Sequence, residues 1–222
     1  MLQLFQRWFK LRFAILYPFG IIVVLFAMPD DRSIWQGIGL IVAGLLTRVW
    51  ANGYAIKMDR LTTSGPYAFI RHPLYAGTIL IVAGFVILLK FYYAGIPFLV
   101  LLFLIYRSTA QKEERMLEEK FKDVYRDYRS SVPALFPRLT PFRKGEKWPF
   151  SFRRLLNSEE YKLFLWVLVL VIVFHLKHEF IGEREKPDAK IISLIILAFL
   201  LGISDLIADF IRKKLKAKLK HG

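Results

Sequence analysis

The chain has 222 residues, 55% of them hydrophobic and 16% aromatic, above the roughly 45–50% apolar content of soluble domains. Its 33 Lys and Arg against 18 Asp and Glu leave a net charge of +15. The basic residues flank apolar runs instead of forming a stripe of their own, which sets nucleic acid aside as a partner and favours a bilayer with anionic headgroups. With no cysteine, disulfides, thiolate metal sites and a cysteine nucleophile are excluded.

The apolar runs predict an all-α fold: a polytopic integral membrane helical bundle of about six transmembrane helices, since about 20 apolar residues are needed to cross a bilayer. Residues 1–12 are short, basic and aromatic and suit an interfacial lead-in. Ala14 to Met28 is the first span, read as a retained helix because no small-residue cleavage site follows it. After a polar turn at 29–33, Ile34 to Ile56 is the second, rich in Gly and Ala that let helices approach closely. Lys57 to His72 is a polar connection. Pro73 to Lys90 is the third span and Ala94 to about Ala110 the fourth, with a separate charged helix from Gln111 to Tyr128. A Pro-punctuated basic and aromatic stretch, 132–157, suits the interface. Tyr161 to Leu176 is a marginal fifth span and Ile191 to Ile211 a sixth, followed by a basic tail. These elements divide the chain into N-terminal helices (1–50), a core (51–137), an interfacial segment (138–160) and C-terminal helices with the tail (161–222). The positive-inside rule places both termini and the 57–72 and 111–160 regions in the cytoplasm.

Two segments are too patterned to be connectors. Leu61-Thr-Thr-Ser-Gly-Pro-Tyr-Ala-Phe-Ile-Arg-His-Pro-Leu-Tyr-Ala-Gly77 sets a fixed cation and an imidazole, Arg71 and His72, just before a helix opened by Pro73. Such a helix start attracts carboxylates or phosphates. Glu113-Glu114-Arg-Met-Leu117 then continues through Phe121, Tyr125 and Tyr128 to Val132-Pro133. Paired acids at the end of a membrane helix can bind an amino group or hydroxyls. Each motif also has a plain explanation, as headgroup anchors or as a solvated helix face.

Together, the Gly-Pro-Tyr, Arg-His-Pro-x-Tyr-x-Gly and Glu-Glu-x-x-Leu motifs, with Tyr-x-x-Tyr and Val-Pro after them, resemble the isoprenylcysteine carboxyl methyltransferase family, itself similar to the phospholipid N-methyltransferases. The resemblance covers roughly residues 50–137. It implies S-adenosylmethionine as cofactor, held by Tyr67, His72, Pro73, Leu74, Tyr75 and Glu113, with backbone contacts at Leu61 and Thr62 and Asn52 near a family Gln position. Arg71, His72 and the helix start can hold the cofactor's carboxylate; Arg71, His72, Glu114 and Arg107 are the catalytic candidates, with Glu114 or His72 as base for an amine or hydroxyl acceptor. Thr109 stands where the family enzyme acting on prenylated cysteine has an Arg, and Arg107 lies two residues away on another face. Lys122 stands where a Gly follows the motif's Phe.

The expected activity is methyl transfer to a lipophilic acceptor, a prenylcysteine-like carboxylate or a lipid amine or hydroxyl that enters from the bilayer. Two other readings are an NADPH-dependent sterol reductase, because membrane sterol reductases share a similar Arg-His-Pro-x-Tyr-x-Gly pattern, and a non-enzymatic membrane protein keeping the fold. His175 and His178 with Glu179 are read as interface polarity instead of a metal site. Asp205 and Asp209 are read as locally paired with Arg212 and Lys213.

Overall fold

A computed structural model describes residues 29–56, 60–158 and 160–178 of the chain. Among them every regular element is helical: α1 (Asp31–Tyr54), a 3-10 turn (Gly65–Ala68), α2 (Pro73–Leu88), α3 (Tyr92–Ser131), α4 (Phe152–Asn157) and α5 (Glu160–His178). The expected all-α class holds there. The lead-in, the first and sixth spans, Asp205, Asp209 and the basic tail lie outside the described residues, as does the 179–190 part of the outer loop.

α1 opens on a reciprocal cap. The Asp30 carboxylate accepts from Ser33 N at 2.8 Å, and Ser33 Oγ accepts from Asp30 N at 3.0 Å, which satisfies two amides that a helix start leaves without partners. Ser33 Oγ also lies 2.9 Å from Leu88 O, and Lys90 pairs with Asp30. The start of α1 is thus clasped to the end of α2, and the two helices run antiparallel. The Lys90 hydrogen bond and the Ser33 amide hold the Asp30 carboxyl down at about 2.

Small residues set the α1–α2 seam. A Cβ on Gly44 would stand 2.5 Å from Gly77 O, and one on Gly37 2.5 Å from Gly84 O. Only hydrogen at these positions lets the backbones approach so closely. Around this seam Ile34, Ile41 and Leu45 pack with Ile81, Leu88 and Leu89, and α5 adds Val167 and Phe174.

The sequence predicts a break near residue 110, but α3 runs straight through it and stays helical from Tyr92 to Phe121, about 45 Å. Composition changes from apolar to charged there, yet no Gly or Pro lies between Phe98 and Ser131, so nothing stops the backbone ladder. About 20 residues suffice to cross hydrocarbon; the second half of α3 therefore projects beyond it. Tyr93, Ile96, Val100, Leu101 and Leu104 on the first half are exposed, as lipid-facing side chains are. The second half bends at Lys122, whose φ of 47° and ψ of −121° are non-helical. That is the first central position of a type II′ turn, which glycine favours.

α1 and α3 are long and apolar enough to cross a membrane; α2 and residues Leu163–Leu176 of α5 are shorter apolar helices. The described residues therefore contain two full-length candidate spans toward the expected six. Residues 133–151 form a strap rather than a loose interfacial segment. Arg138 N donates to Phe69 O, Phe142 N to Ala68 O, and Ser151 N to Gly53 O, all within 3.0 Å.

Candidate functional site

The first motif is folded by its own turn residues and then pinned by the strap. Gly65 has φ +61°, and a Cβ there would meet the Tyr54 ring at 2.4 Å, so both the left-handed backbone and the space require glycine. Pro66 fixes the second position of the 3-10 turn. His72, before proline, stays out of the helical region, with φ −122° and ψ 64°, and Pro73 opens α2 where its missing N–H costs nothing. Arg71 N and His72 N donate to Pro133 O and Ala134 O at 2.9 and 3.0 Å. The Val-Pro segment therefore clamps the Arg-His pair by backbone hydrogen bonds.

The second motif meets the first across 38 residues of chain. Tyr75 Oη donates to Glu113 Oε1 at 2.6 Å. His72 Nδ1 lies 3.5 Å from Glu113 Oε2, and its Nε2 lies 3.1 Å from Glu114 Oε1. The His72, Tyr75 and Tyr106 rings form a stack, with centroids 5.4 and 4.6 Å apart. The kink at Lys122 turns the end of α3 so that Tyr125 and Tyr128 pack beside the motif with Val132, and Tyr128 Oη donates to Tyr67 O at 2.7 Å.

The two motifs enclose a pocket of about 230 Å³. Of the residues expected at the site, Leu61, Thr62, Tyr67, Arg71, His72, Pro73, Leu74, Tyr75 and Glu113 line it. Three do not. Asn52 is buried and its Nδ2 donates to Arg48 O at 2.9 Å, within its own helix. Arg107 is exposed on α3. Glu114 lies behind the pocket, 5% exposed, because neighbouring helical residues point about 100° apart.

Glu114 faces Arg71 Nη1 at 3.1 Å, Arg129 Nε at 3.6 Å and His72 Nε2 at 3.1 Å. Burial pushes its pKa up, but the His72 hydrogen bond and the Arg71 charge outweigh that and hold it below the usual carboxylate value. A carboxylate so held is a poor proton acceptor and a good anchor. Arg71 has a second feature: its Nε is buried with no hydrogen-bond partner among the described residues, and its Nη1, although close to Glu114, is not aligned for a hydrogen bond.

Arg60, Ala55 and Ile56 also line the pocket and carry no motif. Arg60 lies over the Trp148 ring at 4.8 Å and 3.6 Å from Glu146. A second cavity, of about 640 Å³, shares Arg60, Leu61 and Tyr128 with the first. Arg129 was legible in principle, one helical turn after Tyr125 and thus on the same face. Among the described residues no three His, Cys, Asp or Glu side chains stand together as a metal site.

The phospholipid methyltransferase family pattern matches residues 33–124. The chain is 30% identical to the cobalt-zinc-cadmium resistance protein CzcN of Cupriavidus metallidurans over 172 residues, 70% of this chain and 78% of the relative. It is 28% identical to the nickel-cobalt-cadmium resistance protein NccN of Alcaligenes xylosoxydans xylosoxydans, over 68% of this chain and 76% of the relative. Over 81 residues, 36% of this chain and 34% of the relative, it is 34% identical to the protein-S-isoprenylcysteine O-methyltransferase of Schizosaccharomyces pombe. No solved structure matches the chain significantly. The motifs, the pocket they build and these relatives agree: the chain belongs to the isoprenylcysteine carboxyl methyltransferase-like family, akin to the phospholipid methyltransferases.

Proposed function

We propose that the protein is an integral membrane methyltransferase that uses S-adenosylmethionine as methyl donor and acts on a lipophilic acceptor reaching the site from the bilayer. The observation that carries this reading is the meeting of Arg71, His72 and Tyr75 with Glu113 around one pocket. The donor set fits the cofactor. The buried, unpartnered Arg71 Nε asks for an acceptor such as a carboxylate. Glu113, less buried than Glu114, offers oxygens to an amino group or ribose hydroxyls. The Tyr67 and Tyr75 side chains place aromatic surface on the same pocket, which favours a sulfonium by cation–π attraction.

When bound, the donor supplies an electrophilic methyl carbon whose bond to sulfur breaks as the acceptor's bond to it forms. The chain's own contribution is alignment. Glu114 fixes Arg71 and His72, Glu113 fixes Tyr75, and the strap fixes the backbone of Arg71 and His72. A carboxylate acceptor needs no base; for an amine or hydroxyl, His72 is the pocket-lining group that can take the proton.

Isothermal titration with S-adenosylmethionine and S-adenosylhomocysteine tests the reading. Wild type should bind both, and His72→Ala and Glu113→Ala should bind them weakly. A well-folded protein that binds neither, or variants that bind unchanged, would sink it. Incubating the protein with labelled donor and a lipid extract would then identify the acceptor. By the positive-inside rule we assign the pocket and both chain ends to the cytoplasm, within a six-span bundle. Because the chain lacks cysteine, single Lys120→Cys and Asp31→Cys variants give a clean topology probe. The first should label only from the cytoplasm and the second only from outside.

A further inference from the structure

We propose that the Tyr125 hydroxyl, together with Arg71 Nε, is a built subsite for the α-carboxylate of the methyl donor; the proposal rests on the methyltransferase reading above. Tyr125 is 1% exposed, lies on α3 beyond the Lys122 bend, and lines the pocket. Its Oη lies against the Arg71 side chain but has no aligned hydrogen-bond partner among the described residues. Buried tyrosine hydroxyls nearly always find one, because an unpaired buried donor loses its water without replacement. Arg71 Nε is unpartnered and lines the same pocket. Two buried donors, from elements 54 residues apart in sequence, that both lack acceptors and line one pocket define a place for an anion with two oxygens.

The surrounding charges say which anion. Glu114 already pairs with Arg71 and Arg129, and Glu118 with Arg129, so the local excess of cation is small. One carboxylate balances it better than a phosphate, with its larger charge. Glu113 lies on the same pocket, next to His72, where it can meet an amino group. Cationic and anionic groups lining one small pocket suit the zwitterionic end of an amino acid. Burial, with the Glu114 charge adding to it, pushes the Tyr125 phenol up to about 12, so at neutral pH it keeps its proton and acts as a donor. The strain at Lys122 acquires a purpose as well: the bend turns the end of α3 back toward the first motif.

The test is a ligand-by-variant cycle read by isothermal titration. S-adenosylmethionine is compared with decarboxylated S-adenosylmethionine, which keeps the sulfonium and amine and lacks only the carboxylate. Wild type should prefer the intact donor. Tyr125→Phe, which removes one oxygen and no volume, should weaken the intact donor about 10-fold or more, as loss of a hydrogen bond to a charged group does, and leave the decarboxylated ligand unchanged. Equal losses for both ligands, or no loss for either, overturn the subsite. If wild type binds the two ligands equally, the carboxylate has no anchor at all, and that result needs no variant to fold. If wild type binds neither ligand, the methyltransferase reading falls with it. Normal donor binding with no Tyr125→Phe effect removes only the subsite.

Discussion

Gly44→Ala is the sharpest test of the fold, because one methyl group must do measurable damage while the same change five residues away does none. The new Cβ would lie 2.5 Å from Gly77 O, 2.7 Å from Ile81 Cγ1 and 2.9 Å from Ile81 N. Carbon and carbonyl oxygen normally approach no closer than about 3.3 Å. Two of the three clashing atoms are backbone, so no rotamer change relieves them, and α1 and α2 must separate by nearly 1 Å. Overpacking of this kind costs about 1–3 kcal/mol. At Gly39 nothing lies within 4 Å of the added carbon, and an exposed helical Gly→Ala exchange should change stability by less than about 1 kcal/mol, in the favourable direction. Thermal unfolding in detergent micelles compares the pair directly. Gly77 lies five residues after His72, so the displaced helix should also weaken donor binding in Gly44→Ala and spare it in Gly39→Ala. If the two variants melt together, the close α1–α2 seam is wrong.

Lys122→Gly should stabilise the protein by about 1 kcal/mol, since a non-glycine residue at a positive φ of this kind stores about 1–3 kcal/mol; a lower melting temperature would show that the bend is misplaced. Glu114 has a depressed folded pKa, so its stabilisation is full above the ordinary carboxylate value and is lost as pH falls through the lower folded one. Acid unfolding of wild type should therefore steepen below about pH 4.5, and Glu114→Gln, although less stable at neutral pH, should lose that part of the acid limb. Tyr75→Phe keeps the ring stack but loses the 2.6 Å bond to Glu113, and titration should show a donor affinity several-fold weaker, with little change in melting.

Much of the site was legible because its residues are tied to local rules. Gly65, Pro66 and Pro73 fix turns and a helix start wherever they stand, and they frame Tyr67, Arg71 and His72 in the sequence as in space. In the sequence Glu113 reads as a cofactor contact and Glu114 as a catalytic candidate, but the place of Glu114 outside the pocket was not legible. Adjacent acids read as a pair, but a helix points them apart, so one lines the pocket and the other lies behind it among Arg71, His72 and Arg129. The length of α3 was misjudged because a change of composition looks like a boundary when no breaker is present. Arg60 and the strap escaped for another reason. Their contacts, such as Thr63 and Ser64 hydroxyls on Glu146 O, join residues over 80 positions apart, and no local pattern encodes them. The bend at Lys122 had one sequence cue, the glycine expected at that position, and it was visible only through the family resemblance.

The unbroken course of α3 makes bilayer thickness a variable of the chemistry. From Tyr92 to Glu113 the helix rises about 32 Å, close to one hydrocarbon thickness, which sets the pocket at the level of the headgroups. The exposed apolar residues of the first half float the helix at a fixed depth, and between Phe98 and Phe121 no Gly, Pro or non-helical residue decouples that depth from Glu113. A thicker membrane draws the pocket down among the acyl chains; a thinner one lifts it into water or tilts the helix. The height at which an acceptor must present its reactive group is therefore set by the lipid around the protein as well as by the pocket. Reconstitution in a series of phosphatidylcholines of increasing chain length should reveal an optimum in turnover with little change in donor affinity.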